Sequence, residues 1–192
     1  MTTARLEAFS DAVIAILITI MVLELRVPHE TDLAALREVI PVFLTYVLSF
    51  VYLGIYWNNH HHLMVLTSRI NGKILWANLH LLFWLSLVPF TTGWMGENDF
   101  AAIPTSVYGI NLLLAAIAYF ILQTAIIADQ GPGSKLAAAL GSDLKGKISP
   151  VLYTAAIPLA FLGRWIALGL YVFVALMWLV PDRRIESTVA SS

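Results

Sequence analysis

The chain contains no cysteine. Disulfides and thiolate metal sites are therefore excluded, and the redox compartment is left open. Charge is also scarce. Only 12% of the 192 residues are Asp, Glu, Lys or Arg, about half of what a soluble domain carries. The formal net charge is −1, so no basic excess points to nucleic acid. No H-E-x-x-H pair is present and no nucleophile stands beside a suitable base, so no catalytic residue is assigned. The N-terminus lacks the basic n-region and the small-residue cleavage site of a signal peptide, and its apolar run reads as a retained helix.

What is present is apolar. Hydrophobic residues make up 59% of the chain and the mean hydropathy is +0.81. This composition reads as an all-α, polytopic membrane protein whose main solvent is the bilayer. A spanning helix needs about 20 apolar residues, and the chain offers six such spans within a single domain. The first runs over about Ala4–Leu25 and is closed by Pro28. The second runs over Val39–Leu66, with Pro41 in its first turn, and the third over Lys73–Trp94, with a kink expected at Pro89. The fourth covers Pro104–Ala128 and stops before "DQGPGSK" (Asp129 to Lys135). Leu136–Leu144 suits a short interfacial helix. The last apolar block, Ile148–Val180, holds 33 residues, too many for one crossing. "FLGRW" (Phe161 to Trp165) divides it into two short helices, 148–162 and 164–180.

Lysine and arginine favour the cytoplasmic side. With the N-terminus inside, the inner segments hold Arg5, Arg69, Lys73, Lys135, Lys145, Lys147, Arg183 and Arg184, against Arg26, Arg37 and Arg164 outside. That balance puts both termini in the cytoplasm of a multi-pass cell-membrane protein. Trp76, Trp94, Trp165 and Trp178 fall near span ends, where tryptophan meets the headgroups.

Polar residues gather at one depth in the first three spans. Ser10 and Asp11 lie seven or so residues into the first, "WNNHHHL" (Trp57 to Leu63) in the last third of the second, and Asn78 and His80 near the start of the third. A buried carboxylate needs partners. The expected arrangement is a clasp in which Ser10 and Asp11 accept from His80, Asn78 or Trp57, with Asn58 and His62 as further members. A proton relay or a metal site is the rival reading. Consecutive histidines sit about 100° apart on a helix, so His60, His61 and His62 do not converge on one ion, and no metal ligand is assigned.

Ile16, Thr19, Ile20 and Leu23 share a narrow face of the first helix, within about 60° of Ile16. Asp11 lies about 140° away and Glu24 about 80° away. Either lipid or an axis of symmetry could receive this face. Around an axis it would form stacked aliphatic rings that gate by dewetting, with a hydroxyl layer at Thr19. Glu24 at the outer mouth would concentrate cations. Arg5 would repel them unless turned toward an acid such as Glu7 or toward the headgroups.

"RLEAFSD" is an R-x-x-x-F-S-D motif of Arg5, Phe9, Ser10 and Asp11 at the inner start of the first span. It resembles the signature of the endosomal and lysosomal potassium channel family, transmembrane protein 175, in its prokaryotic form. "FSDAVIAILITIMVLELRVP", "WNNHHHL" and "LWANLHLLFWLSLVPF" are similar to that family as well. The resemblance implies a homotetrameric cation channel that prefers potassium, is surrounded by lipid and has no selectivity-filter re-entrant loop; no T-V-G-Y-G segment occurs here. It also implies a pore lined by the first helix, with its narrowest ring at Ile16, further layers at Ile20 and Leu23, and hydroxyls at Thr19. His80 would partner the motif. The only small ligand implied is the permeant monovalent cation; no cofactor is. A small secondary transporter or proton-coupled carrier using Asp11 and the histidines is the alternative, although the first span has no glycine or proline at which a carrier helix would break.

Overall fold

The computed structural model describes residues 2–29, 31–140 and 143–179. Eight α-helices follow in order: α1 (Thr3–Ile20), α2 (Ala35–Val65), α3 (Gly72–Ser86), α4 (Val88–Glu97), α5 (Ala102–Gln130), α6 (Lys135–Leu140), α7 (Leu144–Leu162) and α8 (Arg164–Leu179). One 3₁₀ turn, Met21–Glu24, extends α1. No strand occurs among the described residues. Among the described residues, four helical stretches are long and apolar enough to cross a bilayer: Thr3–Glu24, Ala35–Val65, Gly72–Glu97 and Ala102–Gln130.

Side-chain caps set several helix starts. An N-cap oxygen satisfies one of the orphan N–H groups of the first turn. Thr2 accepts from the Arg5 N–H, Asn71 from Ile74 at 3.0 Å, and Asp143 from Gly146 at 3.0 Å. Several boundaries differ from the sequence reading. Because α2 begins at Ala35, Pro41 sits inside it, beyond the first turn. The third apolar stretch is two helices that break at Leu87, not one helix with a kink at Pro89. Pro89 falls in the first turn of α4, where its missing N–H costs little, and its effect is felt upstream because proline disfavours continued helix before it. The final apolar block falls in two helices, α7 and α8, which meet at Gly163 and pack on each other, but α7 starts earlier than 148, at Leu144, and the short helix expected over Leu136–Leu144 is α6, Lys135–Leu140. Val180, Arg183 and Arg184 lie outside the described residues.

α5 holds the middle of the fold, with α3 on one side and α7 on the other, while α8 packs on α7 and α2 packs on α4. Two buried clusters result. One joins α1, α2, α3 and α5 through Ile14, Leu17, Leu53, Leu81, Leu85 and Leu122. The other joins α2, α5, α7 and α8 around Tyr52, Tyr108, Tyr153 and Tyr171. The Tyr52 hydroxyl donates to the Tyr171 carbonyl at 2.6 Å and the Tyr171 hydroxyl to the Thr105 carbonyl at 3.1 Å, so these rings bury their polar tips without loss. On the turn between α2 and α3, Arg69 and Asn71 donate to the Asp129 carboxylate at 2.7 and 2.8 Å, tying that turn to the end of α5.

α2 and α4 approach closely because Gly96 has no side chain. A Cβ there would lie 2.8 Å from the Val42 Cα and 2.6 Å from the Thr45 Oγ1. Gly96→Ala must push backbone from backbone, so it should destabilise the protein by about 1–3 kcal/mol. The thermal midpoint in detergent checks this; an unchanged midpoint would mean that α2 and α4 have slack.

Candidate functional site

α1 lies at the edge of the fold and divides into two faces. Leu6, Ser10, Ile14, Leu17 and Met21 are buried against α2, α3 and α4. Their spacing of three and four residues traces one helical stripe. The opposite side is bare. Arg5, Phe9, Ile16, Thr19, Ile20 and Leu23 are all exposed, Ile16 at 57% and Leu23 at 78%. Ala8, Ala12 and Ala15 flank them on the same side. The structure thus places the four residues of the stripe together on a face that none of the described residues covers.

The Thr19 hydroxyl donates back into its own helix, toward the carbonyls of Ala15 at 3.1 Å and Ile16 at 2.9 Å. Its oxygen lone pairs are thereby left as acceptors on the exposed face. Beyond Ile20 the backbone tightens into the 3₁₀ turn, which advances about 120° per residue instead of 100°. This rotates Glu24 away from the azimuth expected of a continuous α-helix. Its exposed carboxylate lies beside α4, where a Cβ on Gly93 would come within 3.3 Å of the Glu24 Oε2. Arg26 and Glu97 form an ion pair of 2.8 Å nearby. Both line the same open cleft as Glu24, His29 and Glu38.

Behind the bare face stands a buried polar chain. Asn78 on α3 donates to the Ser10 Oγ at 2.9 Å, and its Oδ1 lies 2.8 Å from the His60 Nε2 on α2. The Ser10 hydroxyl in turn donates to the Leu6 carbonyl at 2.9 Å. With that amide orientation, His60 carries its proton on Nε2 and donates to Asn78. All three side chains are fully buried. The clasp thus joins three helices at the expected depth, yet its partners differ from those expected. His80 faces outward and accepts from the Trp84 Nε1 at 2.9 Å on its own helix. Residues 78 and 80 point about 200° apart on a helix, so only one of them reaches α1. Trp57 and Asn58 are exposed on α2 and take no part. Asp11 is half-buried and its Oδ1 has no hydrogen-bond partner among the described residues.

The histidines of α2 serve separate ends. His60 meets Asn78, whereas the His61 Nδ1 lies 2.6 Å from the Glu7 Oε1. His62 is half-buried with its ring 5.6 Å from that of His61. Glu7 is therefore engaged by His61 and not by Arg5, because residues two apart on a helix do not face each other. Arg5 stays exposed. The sequence reading missed His60 as the clasp member of α2. Part of the signal was available: His60 continues the buried stripe of Ser49, Tyr52, Leu53, Leu63 and Met64 and Asn58 does not, whereas Trp57 lies at the edge of that stripe and only the structure shows it exposed.

Residues 5–89, which hold the bare face and the polar chain, match the family model described as the endosomal/lysosomal potassium channel TMEM175. Over 98% of both chains the sequence is 54% identical to a potassium channel of Chryseobacterium sp. (strain P1-3). It is 31% identical to a potassium channel of Chamaesiphon minutus, over 91% of this chain and 92% of that one. The fold matches the crystal structure of a lysosomal potassium-selective channel TMEM175 homologue from Chamaesiphon minutus with a TM-score of 0.82 at 29% identity, covering 93% of this chain and 96% of that one.

Proposed function

Because the chain belongs to the TMEM175 family of potassium channels, and is itself a multi-pass membrane potassium channel rather than an enzyme, we propose that it conducts as a homotetramer with the bare face of α1 turned to the four-fold axis. The observation that carries this reading is the division of α1: one face is locked to α2 and α3 by Ser10, Asn78 and His60, and the other is uncovered. A channel cannot be enclosed by one such helix. Four copies convert a single stripe into closed rings.

In this arrangement Ile16, Ile20 and Leu23 form aliphatic rings that a hydrated cation crosses only by shedding water or by widening the constriction. Thr19 sits between the Ile16 and Ile20 rings, and its outward lone pairs replace part of the lost hydration. Alanines 8, 12 and 15 beside the stripe let neighbouring α1 helices approach closely. The polar chain behind holds α1 at a fixed rotation, so the aliphatic side chains stay turned to the axis. Arg5 at the inner end extends toward headgroups, away from the conduction path.

The rest of the chain fits a six-crossing subunit in the bacterial plasma membrane. α3 with α4 makes one crossing, α7 and α8 make the last two, both termini are cytoplasmic, and no re-entrant filter loop is used. The permeant species is K⁺, with other monovalent cations as weaker competitors. No resident cofactor or nucleic acid enters this mechanism.

Reconstitution in planar bilayers tests the reading. Steady unitary currents with bi-ionic reversal potentials favouring K⁺ over Na⁺ are expected. Saturable, coupled uptake without unitary current would instead indicate a carrier. Glu24 gives a second check. Glu24→Gln should lower unitary conductance roughly twofold in dilute salt, because the mouth no longer concentrates cations. The difference should vanish near 1 M salt, where the screening length is about 3 Å. Equal conductance at both salt concentrations would remove Glu24 from the ion path.

A further inference from the structure

Arg26 follows the bare stripe of α1 directly, three residues after Leu23 and two after Glu24. A free guanidinium there would oppose the attraction that the Glu24 carboxylate exerts on cations. The chain gives it a partner from another helix. The Arg26 Nη2 donates to the Glu97 Oε1 at 2.8 Å, across 71 residues of sequence. The other two arginines of this end stand elsewhere: Arg37 on α2, and Arg164 on α8, where it donates to the Asp99 carbonyl at 2.8 Å.

α4 carries both contacts with the end of α1. Gly93 and Glu97 are four residues apart and so share one face of that helix, which packs on α1 and its 3₁₀ turn. The Glu24 side chain lies across Gly93: a Cβ there would come within 3.3 Å of its Oε2 and 3.4 Å of its Cδ. Glu97, one turn further on, takes Arg26. Glu24 itself forms no ion pair among the described residues, so its charge is left to the water of the cleft. The Arg26–Glu97 pair is worth little to the fold. Its side chains are 85% and 41% exposed, and water and salt screen such pairs. What the pair fixes is where one positive charge stands.

We propose that Glu97 is a positioning residue for permeation: it holds the Arg26 guanidinium against α4, away from the approach of cations, and so keeps the mouth acidic. The inference rests on the reading above that places Glu24 at the outer mouth of the pore. Without Glu97, Arg26 is free to stand beside Glu24 and cancel its charge. Glu97 thus acts through Arg26, and its effect disappears when Arg26 is absent.

Unitary currents of the purified full chain in planar bilayers test this, in KCl of about 10 mM, where the screening length is about 30 Å. Glu97→Gln should lower the inward unitary conductance about twofold and the outward conductance less, because the charge acts on cations entering from outside. The loss should vanish near 1 M salt. In an Arg26→Gln background the same Glu97→Gln change should have no effect, since no guanidinium is left to release. A merely structural role would change the number of active channels and not this pattern. Unchanged inward conductance in Glu97→Gln would overturn the proposal. So would an equal loss with and without Arg26, which would make Glu97 act by its own charge. If Glu24→Gln still lowers the conductance in either case, the pore reading survives; if Glu24→Gln has no effect either, that reading fails and this inference with it.

Discussion

Ile16→Asn is expected to raise the resting conductance about tenfold or more and to weaken the preference for potassium. In the proposed tetramer, four isoleucines would be replaced by four amides at the ring that the proposal makes narrowest. On that proposal the barrier is the cost of bringing a cation into a dry aliphatic constriction, and every 1.4 kcal/mol removed from it is about a factor of ten in rate. Amides hold water and offer oxygens, so the ring is wetted. The fold should not suffer, because Ile16 is 57% exposed and belongs to neither buried cluster. The prediction therefore pairs a large change in current with an unchanged thermal midpoint. Recordings in planar bilayers at matched protein density measure the first, and unfolding in detergent the second. Wild-type conductance in the variant would take Ile16 out of the pore.

The opposite pairing is expected at Asn78. Asn78→Leu keeps a similar size but deletes both ends of the bridge, so fully buried Ser10 and His60 lose their partner. Each unsatisfied group costs about 1–3 kcal/mol. The sum, about 2–6 kcal/mol, is a large part of the 5–15 kcal/mol that typically holds a domain together. Expression and assembly should fall sharply, and any surviving protein should show a rotated or loosened α1. His80→Leu is the control. That imidazole is exposed and, among the described residues, hydrogen-bonded only to Trp84 on its own helix, so the variant should assemble normally. If His80→Leu proved as damaging as Asn78→Leu, the clasp drawn from Asn78 would be wrong.

The sequence carried the local geometry well and the pairings poorly. The stripe of Ile16, Thr19, Ile20 and Leu23 was legible because helical periodicity is a property of one segment. The depth of the polar cluster was legible too, since residue rise fixes how far along each helix Ser10, His60 and Asn78 sit. Which of them touch is decided by how three helices rotate about their own axes. For α3 the answer was half visible: Ile74, Ala77, Asn78, Leu81, Leu82 and Leu85 form one buried stripe, and His80 lies off it. The winding change at Met21–Glu24 was not visible at all, because no glycine or proline marks it, and it shifted the azimuth of Glu24. The break at Leu87 was misplaced by two residues because proline acts on the turn before it.

The chain's lack of cysteine makes the central claim directly measurable. Cysteine placed at Ile16, and separately at Phe83 on the exposed side of α3, gives two proteins each with a single thiol per subunit. If the bare faces of α1 meet at a common axis, Ile16→Cys will form disulfide-linked dimers on mild oxidation and Cd²⁺ will block its current, while Phe83→Cys does neither. Monomeric Ile16→Cys that is modified only by a lipid-soluble thiol reagent, with its current untouched by Cd²⁺, would contradict the account.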